Sequence, residues 1–162
     1  MKYLLVAGLV SLFHVAAVDD SAPAGWKIIK DAKRACQISV PADWDPSADS
    51  AGAAIFHDAT TAIAVVTSQP GQTVNPFPGS LLKSLRIPKE KMFENTAKRI
   101  FYQDKIALNA HDSNSFSAMV PGRNGTCSSR VVFSAPVSEE TARKITLTLG
   151  PAPSKSADQR VE

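Results

Sequence analysis

Two cysteines in widely separated segments constrain the fold of this chain more than any other sequence feature. Cys36 begins an alternating apolar run that ends at Pro41, and Cys127 stands at the start of a second such run. Alternation is typical of strands with one buried face, so both sulfur atoms are expected to face a common interior. The sequence predicts a structural disulfide between Cys36 and Cys127. In the chain-entropy model it would stabilise the fold by roughly 4–5 kcal/mol. The alternative is two separately buried thiols.

The first seventeen residues have the layout of a secretory signal peptide. Lys2 supplies a positive charge, an apolar run follows, and small residues at Val15 and Ala17 precede the expected cleavage point. A membrane-spanning helix needs about 20 apolar residues, and Asp19 arrives too early for that. We therefore predict a signal peptide over residues 1–17 and a secreted or periplasmic protein. An oxidising compartment of this kind permits the disulfide.

The mature chain of about 145 residues is the size of one domain. The whole sequence has 18 Lys and Arg against 15 Asp and Glu, with the charges interspersed. The densest basic group comprises Lys83, Arg86, Lys89 and Lys91, and it is interrupted by apolar and acidic residues. A nucleic-acid-binding protein is expected to carry a basic stripe on one element. We interpret this group as a solvated face and predict no nucleic-acid partner.

Periodicity predicts short strands and two helices. The predicted strands are 25–31, 36–41, a hairpin of 53–57 with 61–68, two pieces within 92–108, and a second hairpin of 115–120 with 127–133. The second hairpin turns at Asn124-Gly125, which with Thr126 also forms a glycosylation acceptor. Residues 42–52 and 109–114 are predicted to be loops.

Helix start and stop residues place the two helices. Ser80 is predicted to cap a short helix over residues 81–87. Ser138 is predicted to cap a closing helix over residues 139–149, with Gly150 at the C′ position. We predict a flexible arm over residues 18–25, one α+β domain over residues 26–150 with an antiparallel sheet packed by helices, and a disordered tail over residues 151–162.

The order of elements resembles that of a known fold family. A Trp-containing strand is followed by the motif Ile38-Ser39-Val40-Pro41-Ala42-Asp43-Trp44, then a β-pair, a short helix, antiparallel strands and a closing helix. Over residues 26–149 this resembles the PsbP-like α/β/α sandwich, and it is similar to small exported bacterial proteins of uncharacterised families. The resemblance implies an α/β/α sandwich but no particular function. No metal or partner residues carry over, and the cysteine pair departs from the plant-type members.

Candidate catalytic residues are few. His57-Asp58 and His111-Asp112 hold the histidines that remain after processing, and together they could form a divalent-metal site. Neither their spacing nor a helical arrangement enforces such a site. No serine lies in a Gly-x-Ser-x-Gly elbow. The sequence thus predicts no catalytic residue, cofactor or metal, and the alternative is a small exported metal-dependent hydrolase that uses His57 and His111.

The function that we predict from the sequence is a secreted or periplasmic, non-enzymatic binding or accessory module. Its ligand is unknown, its partner is an unidentified protein or envelope component, and no stable membrane insertion is expected after signal cleavage. Four aromatic residues near loops or strand ends could anchor a partner, but core packing is the better interpretation. They are Trp26, Trp44, Phe77 and Tyr102.

Overall fold

The structure, a computed structural model, describes residues 22–46, 53–55, 61–108 and 111–154 of the chain. In chain order, the strands and helices of these ranges are β1 (Trp26–Lys30), β2 (Cys36–Pro41), β3 (Asp45–Pro46), β4 (Ala53–Ile55), β5 (Ala62–Pro70), α1 (Gly79–Ser84), β6 (Met92–Asn95), β7 (Ile100–Leu108), β8 (His111–Pro121), β9 (Gly125–Phe133), α2 (Glu139–Leu147) and β10 (Gly150–Pro151). A 3-10 turn, Lys89–Lys91, precedes β6.

Seven of these strands form one antiparallel sheet in the order β3-β4-β5-β9-β8-β7-β6. Its inner face is apolar because the strands alternate: in β5, Ala62, Ala64 and Val66 are fully buried while the residues between them are half-buried. Phe116 of β8 and Val131 of β9 belong to the same core. Both predicted hairpins, β4–β5 and β8–β9, are confirmed.

A second, three-stranded antiparallel sheet in the order β1-β2-β10 packs on this inner face. Ile38 and Val40 of β2 are fully buried and share the core with Trp44, which follows the strand. The prediction of an α+β fold with antiparallel strands is confirmed, but the separation into two sheets was not predicted. It follows from β2, whose residues Cys36–Val40 are all buried because the strand is covered by the larger sheet and by α2.

Helix α2 covers the rest of the inner face. Ser138 caps it, accepting a 3.0 Å hydrogen bond from the backbone N–H of Thr141, as predicted. Ala142, Ile145 and Leu149 form the predicted buried stripe. The helix ends two residues earlier than predicted, with Thr148 as its C-cap.

The early end of α2 has a specific cause. The Thr148 hydroxyl accepts a 2.8 Å hydrogen bond from the backbone N–H of Ser39 and donates a 2.6 Å hydrogen bond to the carbonyl of Ile145. The chain therefore turns towards β2 at Thr148. The prediction that Gly150 occupies the C′ position is wrong, because Gly150 begins β10 and pairs with Gln37.

The short helix α1 lies on the opposite, outer face of the large sheet, in a segment that contributes Val74 and Ile87 to a second small core. The predicted cap at Ser80 is wrong: the N-cap is Pro78, and it makes no side-chain hydrogen bond. The predicted end at Ile87 is also wrong. Arg86 adopts a left-handed backbone (φ 54°), and the N–H of Ile87 bonds to the carbonyl of Leu82 at 3.1 Å, which terminates the helix.

Three predicted boundaries also differ. β8 begins at His111, within the predicted loop over residues 109–114, because backbone pairing with β7 continues to Leu108 whatever the side-chain polarity. Residues 45–46 form β3 inside the predicted loop over residues 42–52. Residues 151 and 152 were predicted to belong to a disordered tail, but Pro151 pairs with Cys36 and the N–H of Ala152 bonds to the carbonyl of Ala35 at 2.9 Å. Residues 155–162 lie outside the described residues, as does the predicted signal peptide.

Within the described ranges, no helix has the length and apolar character needed to cross a membrane.

Candidate functional site

A cleft of about 1050 Å³ opens where the two sheets meet at one end of the molecule. Four segments line it: the turn between β1 and β2 (residues 31–35), the end of β5, the turn between β8 and β9 (residues 122–124), and the residues after β10. Ligand sites for small molecules typically have volumes of about 300–1,000 Å³. The cleft therefore has the size of a ligand site.

The predicted disulfide brings the two turns of the cleft together. Cys36 directly follows the turn over residues 31–35, and Cys127 lies shortly after the turn over residues 122–124. The two sulfur atoms are 2.01 Å apart, the Cα atoms are 5.5 Å apart, and both residues are buried. A β-carbon placed on Gly122 would lie 3.1 Å from the Cys127 Sγ, so the second turn passes close over the bond. The prediction of a structural disulfide is confirmed.

A buried carboxylate shapes the first turn. Asp31 Oδ1 accepts hydrogen bonds from the backbone N–H groups of Ala35 (2.7 Å) and Cys36 (2.8 Å). Asp31 Oδ2 accepts one from the Ser68 hydroxyl of β5 at 2.6 Å and a longer one, 3.4 Å, from the N–H of Lys33. The side chain of Asp31 thus ties the turn to itself and to the larger sheet.

Competing effects act on the ionisation of Asp31. Burial raises the pKa of a carboxyl group because it disfavours the charged form. The hydrogen bonds from the Ser68 hydroxyl and from the backbone of Cys36, Ala35 and Lys33 stabilise that charged form. The hydrogen bonds outweigh burial, so the pKa of Asp31 lies below its ordinary value. Asp31 is therefore ionised at neutral pH, with both of its oxygens engaged within the protein.

Four basic residues line the cleft. Lys30 ends β1, Lys33 and Arg34 belong to the first turn, and Arg123 belongs to the second. Within the described part of the chain, none of the four forms an ion pair or a side-chain hydrogen bond. Three of them, Lys33, Arg34 and Arg123, are exposed to solvent. The cleft consequently presents positive charge from two separate turns.

Close backbone contacts join the second turn to the end of β5. The N–H of Gly71 bonds to the carbonyl of Asn124 at 2.9 Å, and the Thr126 hydroxyl donates a 3.0 Å hydrogen bond to the carbonyl of Gln72. Gly125 passes so near Gln69 that a β-carbon would overlap the Gln69 carbonyl. This wall of the cleft is therefore held by backbone packing, and Arg123 projects from a fixed turn.

The distance between the side chains of His57 and His111, the two histidines of the alternative hypothesis, does not follow from the described residues. His57 lies outside the described residues, and His111 begins β8, where only its backbone is described. Among the described side chains, no group of three His, Cys, Asp or Glu residues could hold a metal ion. The hypothesis of a metal site formed by His57 and His111 stays a prediction.

The interpretation of the four aromatic residues as core residues is confirmed. Trp44 and Tyr102 are buried, at 1% and 5% exposure. Trp26 and Phe77 are half-buried, and each packs against one of the two hydrophobic cores. None of these rings provides an exposed anchor for a partner.

The sequence interpretation missed the basic cleft. The densest basic group of the sequence lies away from the cleft, and its residues Lys83, Arg86 and Lys89 are exposed, as predicted. The predicted disulfide could have indicated the cleft. Each cysteine follows a turn that carries a basic residue, so joining Cys36 to Cys127 also brings these turns together.

Comparisons with known proteins show a similar fold but no family. No protein-family model matches the sequence, and neither does any curated protein sequence. The chain is similar to a crystal structure of a protein from Bacteroides thetaiotaomicron VPI-5482 at 1.50 Å resolution, with a TM-score of 0.51 and 14% sequence identity. The match covers 82% of this chain and 50% of that one, so this chain spans about half the length of its structural neighbour. At this identity the likeness concerns the fold alone, and the PsbP-like resemblance stays a prediction.

Proposed function

We propose that this protein is an exported, non-enzymatic binding module whose ligand occupies the basic cleft. The observation that carries the proposal is the cleft itself, a cavity of about 1050 Å³. It is lined by four basic residues whose side chains have no ion-pair or hydrogen-bond partner among the described residues. Unpaired charges in a concave site are available to a ligand, and a few such groups can fix its orientation.

The polar pair nearest the cleft supports binding better than catalysis. Ser68 and Asp31 are joined by a short hydrogen bond, but both Asp31 oxygens hold backbone or hydroxyl donors. A general base acts best when its pKa lies near the working pH. The pKa of Asp31 is shifted in the opposite direction, so the carboxylate is suited to supporting the turn rather than to accepting a proton from a substrate.

Export is supported by two independent features. The first seventeen residues have the layout of a signal peptide. The disulfide joins two strands of the core, and bonds of this kind persist in oxidising compartments. An exported protein retains the bond that holds the two walls of the cleft, so export and cleft geometry are connected.

A steric variant tests whether the cleft is the binding site, whatever the charge of the ligand. Ala32 is exposed and lines the cleft, so Ala32→Trp would fill part of the cavity. Ala97 is also exposed and lies in the turn between β6 and β7, so Ala97→Trp is the matched control. Thermal-shift measurements against a panel of anionic, neutral and cationic small molecules should give hits that Ala32→Trp loses and Ala97→Trp retains. Finding no compound with this dependence would contradict the proposed function.

A further inference from the structure

We propose that the ligand of the cleft is a small anion that carries at least two phosphate or carboxylate groups. This inference rests on the proposed function and specifies the chemistry of the ligand. The positive charges lie on both walls, with Lys33 and Arg34 on the first turn and Arg123 on the second. A ligand with two or more anionic groups can therefore be bound by both walls at once. Lysine and arginine are the side chains that recognise such groups.

The one carboxylate of the first turn, Asp31, does not pair with the basic side chains of the cleft. Asp31 is 4% exposed, and its oxygens point to Ala35, Cys36 and Ser68. Its hydrogen bonds therefore fix the conformation of the turn. The lysine and arginine side chains of the turn remain without an acidic partner among the described residues. A fixed turn presents its charges with less loss of conformational entropy on binding.

The backbone of Arg34 has an uncommon conformation. Arg34 has a φ of 54°, in the left-handed region that favours glycine or asparagine. Arg86 has the same conformation at the end of α1, so this backbone by itself does not mark a site. The two residues differ in position: Arg34 lines the cleft and Arg86 does not. Arg34 thus combines a costly backbone conformation with a position on the cleft wall.

The size of the cleft favours an extended small molecule over a single ion. A cavity of about 1050 Å³ lies at the upper end of the range for small-molecule sites. A lone phosphate would fill only a small part of it, whereas a molecule with several anionic groups would occupy more of the cleft. We therefore expect affinity to rise with the number of anionic groups in the ligand.

Calorimetric titration of the mature, oxidised protein tests this inference with tripolyphosphate and citrate as probes, and with orthophosphate and maltotriose as comparisons. We expect tripolyphosphate and citrate to bind at one site, orthophosphate to bind more weakly, and maltotriose not to bind. Affinity should fall as ionic strength rises from about 0.01 M to 0.15 M, because the Debye length shortens from about 30 Å to about 8 Å.

Matched charge variants locate the binding. Lys33 and Lys98 both lie in hairpin turns, are exposed, and have a backbone N–H bonded to the side chain two residues earlier. Lys33→Gln and Arg123→Gln should each weaken tripolyphosphate binding about tenfold, the effect expected for one charged contact. Lys98→Gln makes the same change in net charge outside the cleft and should leave the affinity unchanged.

Three results would overturn the inference. One is equal affinity in the Lys33→Gln and Lys98→Gln variants. Another is the absence of binding to either polyanion, or binding only to phosphatidylglycerol vesicles, which would indicate a membrane surface instead of a small anion. The third is a screen in which every compound whose binding depends on Ala32 is neutral or cationic; this would leave the proposed function intact while excluding an anionic ligand.

Discussion

The hydroxyl of Ser68 donates a 2.6 Å hydrogen bond to Oδ2 of Asp31, although the residues are 37 positions apart. Asp31 follows β1 of the small sheet and Ser68 lies in β5 of the large one. This polar contact and the disulfide from Cys36 to Cys127 both join the two sheets beside the cleft. The cleft is thus formed by two turns whose positions are fixed by this hydrogen bond and by the disulfide.

Asp31→Asn should destabilise the protein at neutral pH by about 1–2 kcal/mol, because it removes charge-assisted hydrogen bonds from a buried group. The pKa of Asp31 in the folded state lies below its ordinary value. Its stabilisation is therefore present above the unfolded-state pKa of about 3.9 and is lost as the pH falls through the folded-state pKa. Urea denaturation at a series of pH values should show the difference between wild type and variant shrinking below about pH 4. A difference that stays constant to the lowest pH would be inconsistent with this account.

Replacing both cysteines, Cys36→Ser with Cys127→Ser, should lower the free energy of unfolding by about 4 kcal/mol, given that the bond closes a long loop. The sequence separation is 91 residues, so the bond restricts much of the unfolded chain. Denaturation of the oxidised protein and of the double variant measures the loss. Equal midpoints would indicate that the bond contributes nothing to stability.

Arg34→Gly should raise the free energy of unfolding by about 0.5–1 kcal/mol. A left-handed backbone costs a non-glycine residue about 1–2 kcal/mol, and this gain exceeds the entropy that the more flexible glycine loses on folding, about 0.5–1 kcal/mol. The same variant should weaken binding of tripolyphosphate. Arg86→Gly is the matched control, with the same φ of 54° outside the cleft. It should stabilise the fold similarly and leave binding unchanged. Unchanged binding in both variants would remove Arg34 from the site.

Gly125→Ala should destabilise the protein by about 1–3 kcal/mol, the usual cost of overpacking. The added carbon would overlap the backbone carbonyl of Gln69, which cannot move aside without disturbing β5. Gly79→Ala is the control, because nothing lies within 4 Å of the position where its β-carbon would be. Thermal melts should show a lower Tm for Gly125→Ala than for the wild type and an unchanged Tm for Gly79→Ala. A similar Tm for both variants would contradict the close approach.

Much of the fold could be predicted from local patterns. Alternation identified β2 and the Asn124-Gly125 hairpin, and the cap at Ser138 identified α2, since each depends on nearby residues. The boundaries that failed depend on distant partners. Thr148 ends α2 because its hydroxyl bonds to Ser39, and β8 extends to His111 because β7 pairs with it. No local pattern in the sequence contains these tertiary contacts.

The candidate site was less predictable than the fold for a related reason. The cations of the cleft come from the end of β1 and from two turns about 90 positions apart, so they form no local cluster in the sequence. Their proximity depends on the disulfide between Cys36 and Cys127, which was predicted, although its consequence for the adjacent turns was not. The carboxylate of Asp31 and the hydroxyl of Ser68 gave no sequence signal, since their pairing is a product of sheet packing.

The central claim is that the two turns beside the disulfide form one anion-binding site. Backbone amide NMR spectra of the oxidised protein, recorded during titration with tripolyphosphate, test it most directly. The account predicts that chemical-shift changes concentrate at residues 32–36 and 122–126 and saturate together with a single affinity. Changes that concentrate elsewhere, for example around Lys98, or that affect one turn without the other, would contradict it.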